Sequence, residues 1–496
     1  MVPERLASLL AETAELSERF QKAAKTLYLV GGSVRDAIAG AGSTVEADAT
    51  PRGAAGEPVP GPGAKETDLD FTTNARPDDI EAIVSGWADS VWLQGKRFGT
   101  IGCERGGRRM EITTHRAETY DPDSRKPEVT FSNEVEADLS RRDFTVNAMA
   151  LRLPDLELID PFGGLDDLAA GRLRTPLEPE VSFGDDPLRM MRAARFIAGR
   201  NLQPDQGLID AVGRMASRLA VCSPERIRDE LDKLVTLPKP GPGLWFLVSV
   251  GLAAEFLPEL PALALEQDPI HRHKDVLAHT IAVVEKATPD RWLRLAALFH
   301  DVGKPRTRAI GADGVSFHHH EVVGARMTSA RMKALHYSNE DIEAVSRLVE
   351  LHLRFHTYQM GWTDRAVRRY VRDADDLLDR LNELTRCDCT TRNAARAKAL
   401  GRRMDELEAR IAELRTREEL DSLRPDLDGL EVMAILGLMP GPDVGRALSF
   451  LMELRLDEGP LGAEEARRRL LAWWVDAGAA VRATAGAESA ERLEEA

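Results

Sequence analysis

The sequence predicts an α+β protein, a mixed strand-and-helix N-terminal part followed by an all-α remainder. Two observations carry this. Strand-like segments gather in the first third of the chain: Leu27-Tyr28-Leu29-Val30, Asp68-Leu69-Asp70-Phe71, Arg109-Met110-Glu111-Ile112-Thr113-Thr114 and Ala148-Met149-Ala150-Leu151-Arg152-Leu153. From Asp185 onward the apolar residues recur at helical spacing, with few strand-like alternations. At 496 residues there is room for about three domains, each large enough to bury a core.

Composition narrows the class. Hydrophobic residues make up 43% and charged residues 30%, as in a soluble globular protein. The start, Met1-Val2-Pro3-Glu4-Arg5, lacks the basic patch and apolar run of a signal peptide, and no stretch is apolar enough to span a membrane. The four cysteines are sparse, and Cys387-x-Cys389 is too tight for a zinc knuckle. A reducing cytoplasm is the expected location, with no membrane partner. The net charge of −16 argues against indiscriminate nucleic-acid binding. Local arginine clusters, at Arg105/Arg108/Arg109, Arg141-Arg142 and Arg189/Arg192/Arg195, still allow patch-limited RNA contact.

In chain order, residues 1–25 read as an amphipathic helix and residues 27–30 as a strand. Gly31-Gly32 then opens a helix over Ser33 to Ala39, whose first N–H groups suit an anion such as a triphosphate. Residues 40–66, rich in Gly, Ala and Pro, read as a flexible insertion. Asp68 and Asp70 follow, two apart on a strand and so on one face, where a divalent metal could be held. Each piece alone equally describes a tight turn or a polar strand end. Glu111, on another strand pattern, is a candidate third carboxylate.

Asp138-Leu139-Ser140-Arg141-Arg142-Asp143-Phe144-Thr145-Val146-Asn147 sets two arginines, an aspartate and an asparagine ahead of an apolar strand. It reads as a solvated turn, or as a site with Arg142 for phosphate and Asp143 for a ribose hydroxyl. A helix begins at Asp186-Pro187, and Arg189, Arg192 and Arg195 recur every third residue on it. Three cations on one stripe repel, which a phosphate-rich ligand would relieve.

Together, Gly31-Gly32-Ser33-Val34-Arg35-Asp36, Asp68-Leu69-Asp70, Arg141-Arg142-Asp143-Phe144-Thr145-Val146-Asn147-Ala148-Met149-Ala150, Asp160-Pro161-Phe162-Gly163-Gly164 and Asp185-Asp186-Pro187-Leu188-Arg189 resemble the ordered motifs of class II CCA-adding tRNA nucleotidyltransferases. Bacterial poly(A) polymerases share most of them. The resemblance runs from Tyr28 to Glu230. It implies a polymerase-β-like head followed by helical neck, body and tail, with tRNA, CTP and ATP as partners. Asp68 and Asp70 would be catalytic and ligate magnesium, while Gly31, Gly32 and Arg35 would hold the triphosphate. Arg142 and Asp143 would meet phosphate and ribose, and Asp186 and Arg189 would template the incoming base. A carboxylate accepts the amino group of cytosine or adenine, and an arginine donates to the adjacent ring acceptor. Arg192 and Arg195 would complete the nucleotide contacts. The chain departs from the family in having Asp185 where Glu is usual, and in its long insertion.

Ten of the chain's 11 histidines fall between His271 and His356. Among them, Leu293–Phe299 runs as an apolar helix into His300-Asp301, which resembles the HD superfamily of metal-dependent phosphohydrolases. That resemblance implies a divalent transition metal on His279, His300, Asp301 and Asp388, with His320 and His352 near a second site. A helical spacer that has lost its metal is the alternative.

The expected segments are a helix at 1–25, a head at 26–155, a helical neck and base-templating region at 156–250, an HD domain at 255–400 and a tRNA-gripping tail at 401–496. The leading function is template-independent CCA addition and repair. A poly(A) polymerase, a CC- or A-adder, or a phosphohydrolase with an RNA-binding N-terminal half are the alternatives.

Overall fold

The computed structural model describes residues 4–39, 68–119, 128–265, 275–311, 314–356, 362–389, 394–418 and 424–476. The expected insertion at 40–66, His271 and His273, and the chain after residue 476 lie outside the described residues. Contacts divide the chain into two units, Met1–Leu265 with Arg331–Tyr337, and Glu266–Ala330 with Ser338–Ala496.

The first unit is built on strands β1 (Leu27–Val30), β2 (Leu69–Thr73), β3 (Ser90–Trp92), β4 (Thr100–Arg105), β5 (Arg108–Thr114), β6 (Arg116–Thr119), β7 (Glu128–Phe131), β8 (Ala150–Leu153) and β9 (Glu157–Ile159). Seven of them form one sheet in the order β3-β4-β5-β2-β1-β8-β9. All pairs are antiparallel except β2 with β5. The sheet is thus mixed, and the α+β reading holds for this unit.

β1 is buried along its whole length because both its faces are covered. Leu27 and Leu29 join Leu16, Phe20, Phe71, Ile80 and Ile112 in one core. Tyr28 and Val30 pack on the opposite side with Val135, Leu139, Ala148 and Ala150. Leu16 and Phe20 belong to the helix Glu4–Lys22, so the leader segment is a structural part of the head. A run of helices follows, including Pro179–Asp185, Leu188–Arg200 and Pro224–Val235.

Helices dominate the second unit, among them Val276–Lys286, Arg291–Phe299, Asn339–Leu351, Asp364–Ala374, Leu378–Asp388 and Ala394–Glu418. Asp275, Asp290, Ser338 and Thr363 cap four of them, each accepting a first-turn N–H. The helices Gly429–Leu436 and Pro442–Glu458 share a core of Leu427, Val432, Val444, Ala447 and Leu451. Trp473 stacks on Phe450 with ring centroids 4.7 Å apart and packs on the same core.

Candidate functional site

β1 carries the chain to Val30, whose register partner on β2 is Asp70, and Asp70 pairs in turn with Glu111 on β5. Residues paired across strands share a face, and Asp68 lies two residues before Asp70. Three exposed carboxylates therefore gather at one corner of the sheet. Burial first, and then the charges of Glu111 and Asp68, push the Asp70 pKa up to about 6 against the pull of Arg142. A divalent cation would relieve that repulsion, so the donor set suits one.

Gly31 sits directly after β1 with φ 76°, a conformation that favours glycine. A Cβ there would lie 3.3 Å from Arg142 Nη1 and 3.5 Å from Asp70 Oδ2, so the missing side chain lets the two groups close over the turn. Gly32 begins the helix Gly32–Ile38. Arg35 on that helix is buried; it donates to Asn147 Oδ1 at 2.5 Å and to Asp36, and lies over the Phe196 ring.

Arg141 and Arg142 both donate to Asp138, whose side chain is wholly buried. Burial opposes the charged form, but the two arginines hold this carboxyl below its usual range. Asp143 is also buried. Its Oδ1 accepts from the Phe144 N–H and Asn147 Nδ2, both at 2.9 Å, and its Oδ2 accepts from Arg192 Nε at 2.9 Å and Nη2 at 2.5 Å. Burial again opposes ionisation, and Arg192 with Asn147 overcomes it.

Beside this pair lies a cavity of about 430 Å³ lined by Arg142, Asp186, Arg189, Arg192, Arg226 and Lys233, among others. Asp186 stands at the break between Pro179–Asp185 and Leu188–Arg200. Arg195 Nε donates to Glu230 Oε2 at 2.9 Å, and Arg192 Nη1 lies 3.7 Å from Glu230 Oε1. The repulsion expected along the arginine stripe is therefore relieved inside the protein. Asp143 and Glu230 neutralise Arg192 and Arg195, and Arg189 turns to Ser182 and the Arg141 carbonyl. No ligand is needed for that purpose.

In the second unit His279, His300, Asp301, His320, His352 and Asp388 come together from five places in the helical array. His279 Nε2 is 2.9 Å from Asp388 Oδ1 and 3.6 Å from Asp301 Oδ2; His300 Nε2 is 3.3 Å from Asp301 Oδ2. His279, His300 and Asp301 offer ligand atoms within 4.8 Å of one another, as do Asp301, His320 and His352. A shared device orients three imidazoles. Nδ1 of His300, His320 and His352 each meets the carbonyl three residues back, at 2.8, 2.8 and 2.6 Å. With Nδ1 as the donor, Nε2 of each ring points inward. Burial opposes a charge on His300, but Asp301 and Asp388 outweigh it and push the pKa up to about 10, so that Nε2 carries a proton there. His352 Nε2 is buried with no hydrogen-bond partner, and burial, then the neighbouring His300, push its pKa down to about 3. Burial opposes ionisation of Asp301, but His300 holds it well below the carboxylate range. A divalent metal would bind the ionised carboxylates and displace the His300 proton, because imidazole ligates in its neutral form.

The poly A polymerase head-domain family matches residues 27–174, the probable RNA and SrmB-binding site of polymerase A matches 201–263, and the HD domain matches 276–414. The chain is 36% identical to the A-adding tRNA nucleotidyltransferase of Deinococcus radiodurans over 357 residues, 69% of this chain and 80% of that one. It is 34% identical to the CC-adding tRNA nucleotidyltransferase of Thermus thermophilus over 361 residues, 68% and 77% of the two chains. The chain belongs to the tRNA nucleotidyltransferase family. The fold agrees: the Bacillus stearothermophilus CCA-adding enzyme in complex with CTP superposes with a TM-score of 0.64 at 22% identity, covering 95% of this chain and 98% of that one.

Within this nucleotidyltransferase the structure brings Gly31, Asp70 and Arg142 together at the sheet corner, and Arg142, Asp143, Asp186, Arg189 and Arg192 around the cavity. Two expected residues face inward. Arg35 is engaged by Asn147, and a ribose hydroxyl reaches Asp143 only where Arg192 yields an acceptor position. Sequence reasoning gave no role to Asp138, Asn147, Ser182, Arg226 or Glu230. Asp138 meets Arg141 and Arg142, and Ser182 meets Arg189, all within seven residues, while Arg226 and Glu230 reach Asp186 and Arg195 from 40 and 35 positions away. Among the described residues, no helix is long and apolar enough to cross a membrane.

Proposed function

We propose that the first unit adds CMP and AMP residues from CTP and ATP to the 3′ end of tRNA, building or repairing the terminal CCA and releasing pyrophosphate. The observation that carries this is the carboxylate corner of Asp68, Asp70 and Glu111 beside the arginine-lined cavity with Asp186 and Arg189. The RNA 3′-hydroxyl attacks the α-phosphate in line. A bond forms from O3′ to phosphorus as the bond to pyrophosphate breaks, and the hydroxyl proton leaves to solvent or a nearby carboxylate. Magnesium on Asp68 and Asp70 would neutralise charge on the triphosphate and lower the hydroxyl's pKa.

Gly31 and Gly32 let the phosphates approach the backbone, Arg142 supplies positive charge next to Asp70, and Arg35 fixes the turn from beneath. Asp186 and Arg189 read the base: a carboxylate acceptor and a guanidinium donor match cytosine and adenine, while uracil leaves the acceptor unpaired. Arg192 and Arg195 brace the cavity wall through Asp143 and Glu230.

Two relatives covered over more than three quarters of their length are an A-adding and a CC-adding tRNA nucleotidyltransferase, so partial addition is the competing reading. One assay decides. A tRNA transcript ending at the discriminator base, and a second ending in CC, are given CTP, ATP or both with magnesium. Two C residues and then one A, with a stop, establish CCA addition. Addition confined to C or to A shows a partial adder, and a long A ladder on any RNA shows a poly(A) polymerase.

The inward-aimed imidazoles of the second unit support a second activity. His279, His300, Asp301 and Asp388 would hold a divalent transition metal, with His320 and His352 beside it, and a bound metal there would activate water against a phosphomonoester or a 2′,3′-cyclic phosphate. Metal content together with phosphatase activity, both absent in His300→Ala, tests this.

A further inference from the structure

Neither member of the base-reading pair is held by the other. Asp186 Oδ1 accepts from the Leu188 N–H at 3.1 Å, and its Oδ2 accepts from Arg226 Nη2 at 2.8 Å. Arg189 is buried; its Nη1 donates to Ser182 Oγ at 2.9 Å and to the Ser182 carbonyl at 3.1 Å, and its Nη2 donates to the Arg141 carbonyl. Arg226 comes from Pro224–Val235, about forty residues beyond Asp186, and it lines the same cavity. That helix is fixed in turn, since Tyr337 Oη donates to Asp232 at 2.5 Å and His336 Nδ1 meets Glu225 at 2.7 Å.

These contacts use only part of what each group offers. A carboxylate has about four acceptor positions and a guanidinium five N–H donors. Asp186 keeps an acceptor position free on each oxygen, and Arg189 keeps two donors. The protein contacts therefore fix the direction of both groups without consuming the positions a base needs. We propose that Arg226 and Ser182 are specificity-positioning residues, Arg226 aiming the Asp186 carboxylate and Ser182 aiming the Arg189 guanidinium. The inference rests on the reading of Asp186 and Arg189 as the base-recognising pair.

The physical reason is preorganisation. Discrimination against uracil requires that the Asp186 carboxylate stay where the uracil carbonyl must face it. A carboxylate released from Arg226 turns aside or takes a water, and the mismatch is then tolerated. A cognate base loses less, because its amino group can itself draw the carboxylate back.

The test uses the full-length protein and whichever transcript and nucleotide it extends best, and measures kcat/KM for that nucleotide and for UTP. Parent, Arg226→Met, Arg226→Lys, Ser182→Ala and Asp186→Asn are compared, with tRNA affinity and thermal midpoint read alongside. The expected result is a preference over UTP reduced about tenfold in Arg226→Met and by a similar factor in Ser182→Ala, as for loss of one hydrogen bond to a charged group, with partial recovery in Arg226→Lys. If Asp186→Asn loses the preference while Arg226→Met and Ser182→Ala keep it, the positioning role is overturned and the base-reading role stands. If Asp186→Asn keeps it, the base-reading role fails and takes this inference with it. Should Arg226→Met not fold, Arg226→Lys and Ser182→Ala decide by the same ratio.

Discussion

Arg192 grips Asp143 through two N–H groups, Nε at 2.9 Å and Nη2 at 2.5 Å, across 49 positions of sequence. This contact ties the turn that precedes β8 to the helix Leu188–Arg200, which carries Arg189. It makes the cavity wall a single piece, with Glu230 on the far side of Arg192.

Breaking that contact from one side strands a buried charge. Arg192→Met leaves the buried Asp143 carboxylate without its guanidinium and is expected to destabilise the first unit by about 3–5 kcal/mol. The double variant Asp143→Ala/Arg192→Met should lose clearly less than the sum of the singles. Denaturant unfolding of the four proteins gives the coupling energy; additive losses would show that the two residues do not stabilise one another.

Asp70 behaves in the opposite way with pH. Its pKa is raised in the folded protein to about 6 from 3.8, so ionisation costs folding stability. In chelator, stability contributed at this site is expected to be complete below pH 4 and to fall as the pH rises through 6. Asp70→Asn removes the charge and should raise the thermal midpoint at pH 8 but hardly at pH 4, while reducing nucleotide addition about a thousandfold. Added magnesium should raise the parent's midpoint at pH 8 more than the variant's. Equal midpoints at both pH values would rule out the crowded carboxylate corner.

Gly31→Ala tests the close approach at the turn. At φ 76° and ψ −141° a non-glycine residue carries a backbone cost of about 1–3 kcal/mol, and the new methyl would sit 3.3 Å from Arg142 Nη1. Addition should drop more than tenfold while tRNA affinity stays close to the parent's. Full activity would show that the turn opens freely.

Metal in the second unit can be read without any substrate. Dialysis against chelator should lower the parent's thermal midpoint and remove about one divalent transition metal per chain, and His300→Ala should hold none after purification. Metal binding adds RT ln(1 + [L]/Kd), about 4 kcal/mol at a thousandfold excess over Kd. Metal-free parent with an unshifted midpoint would mark the histidine cluster as vestigial.

The sequence by itself determined the local pieces. Alternation placed Asp68 and Asp70 on one face, Gly31-Gly32 marked the turn, and the apolar helix ending at His300-Asp301 announced the second site, because strand and helix periods are properties of consecutive residues. Tertiary structure decided which groups meet. Val30 lies against Asp70 across the 40–66 segment, Glu111 arrives from β5, and His279 and Asp388 close at 2.9 Å from 109 residues apart. The arginine stripe shows the limit most clearly: its charges looked unpaired along the chain, and their partners Asp143 and Glu230 come from segments 49 and 35 residues away. A helix period reports which residues share a face, but nothing local to the helix records what the fold will lay against it.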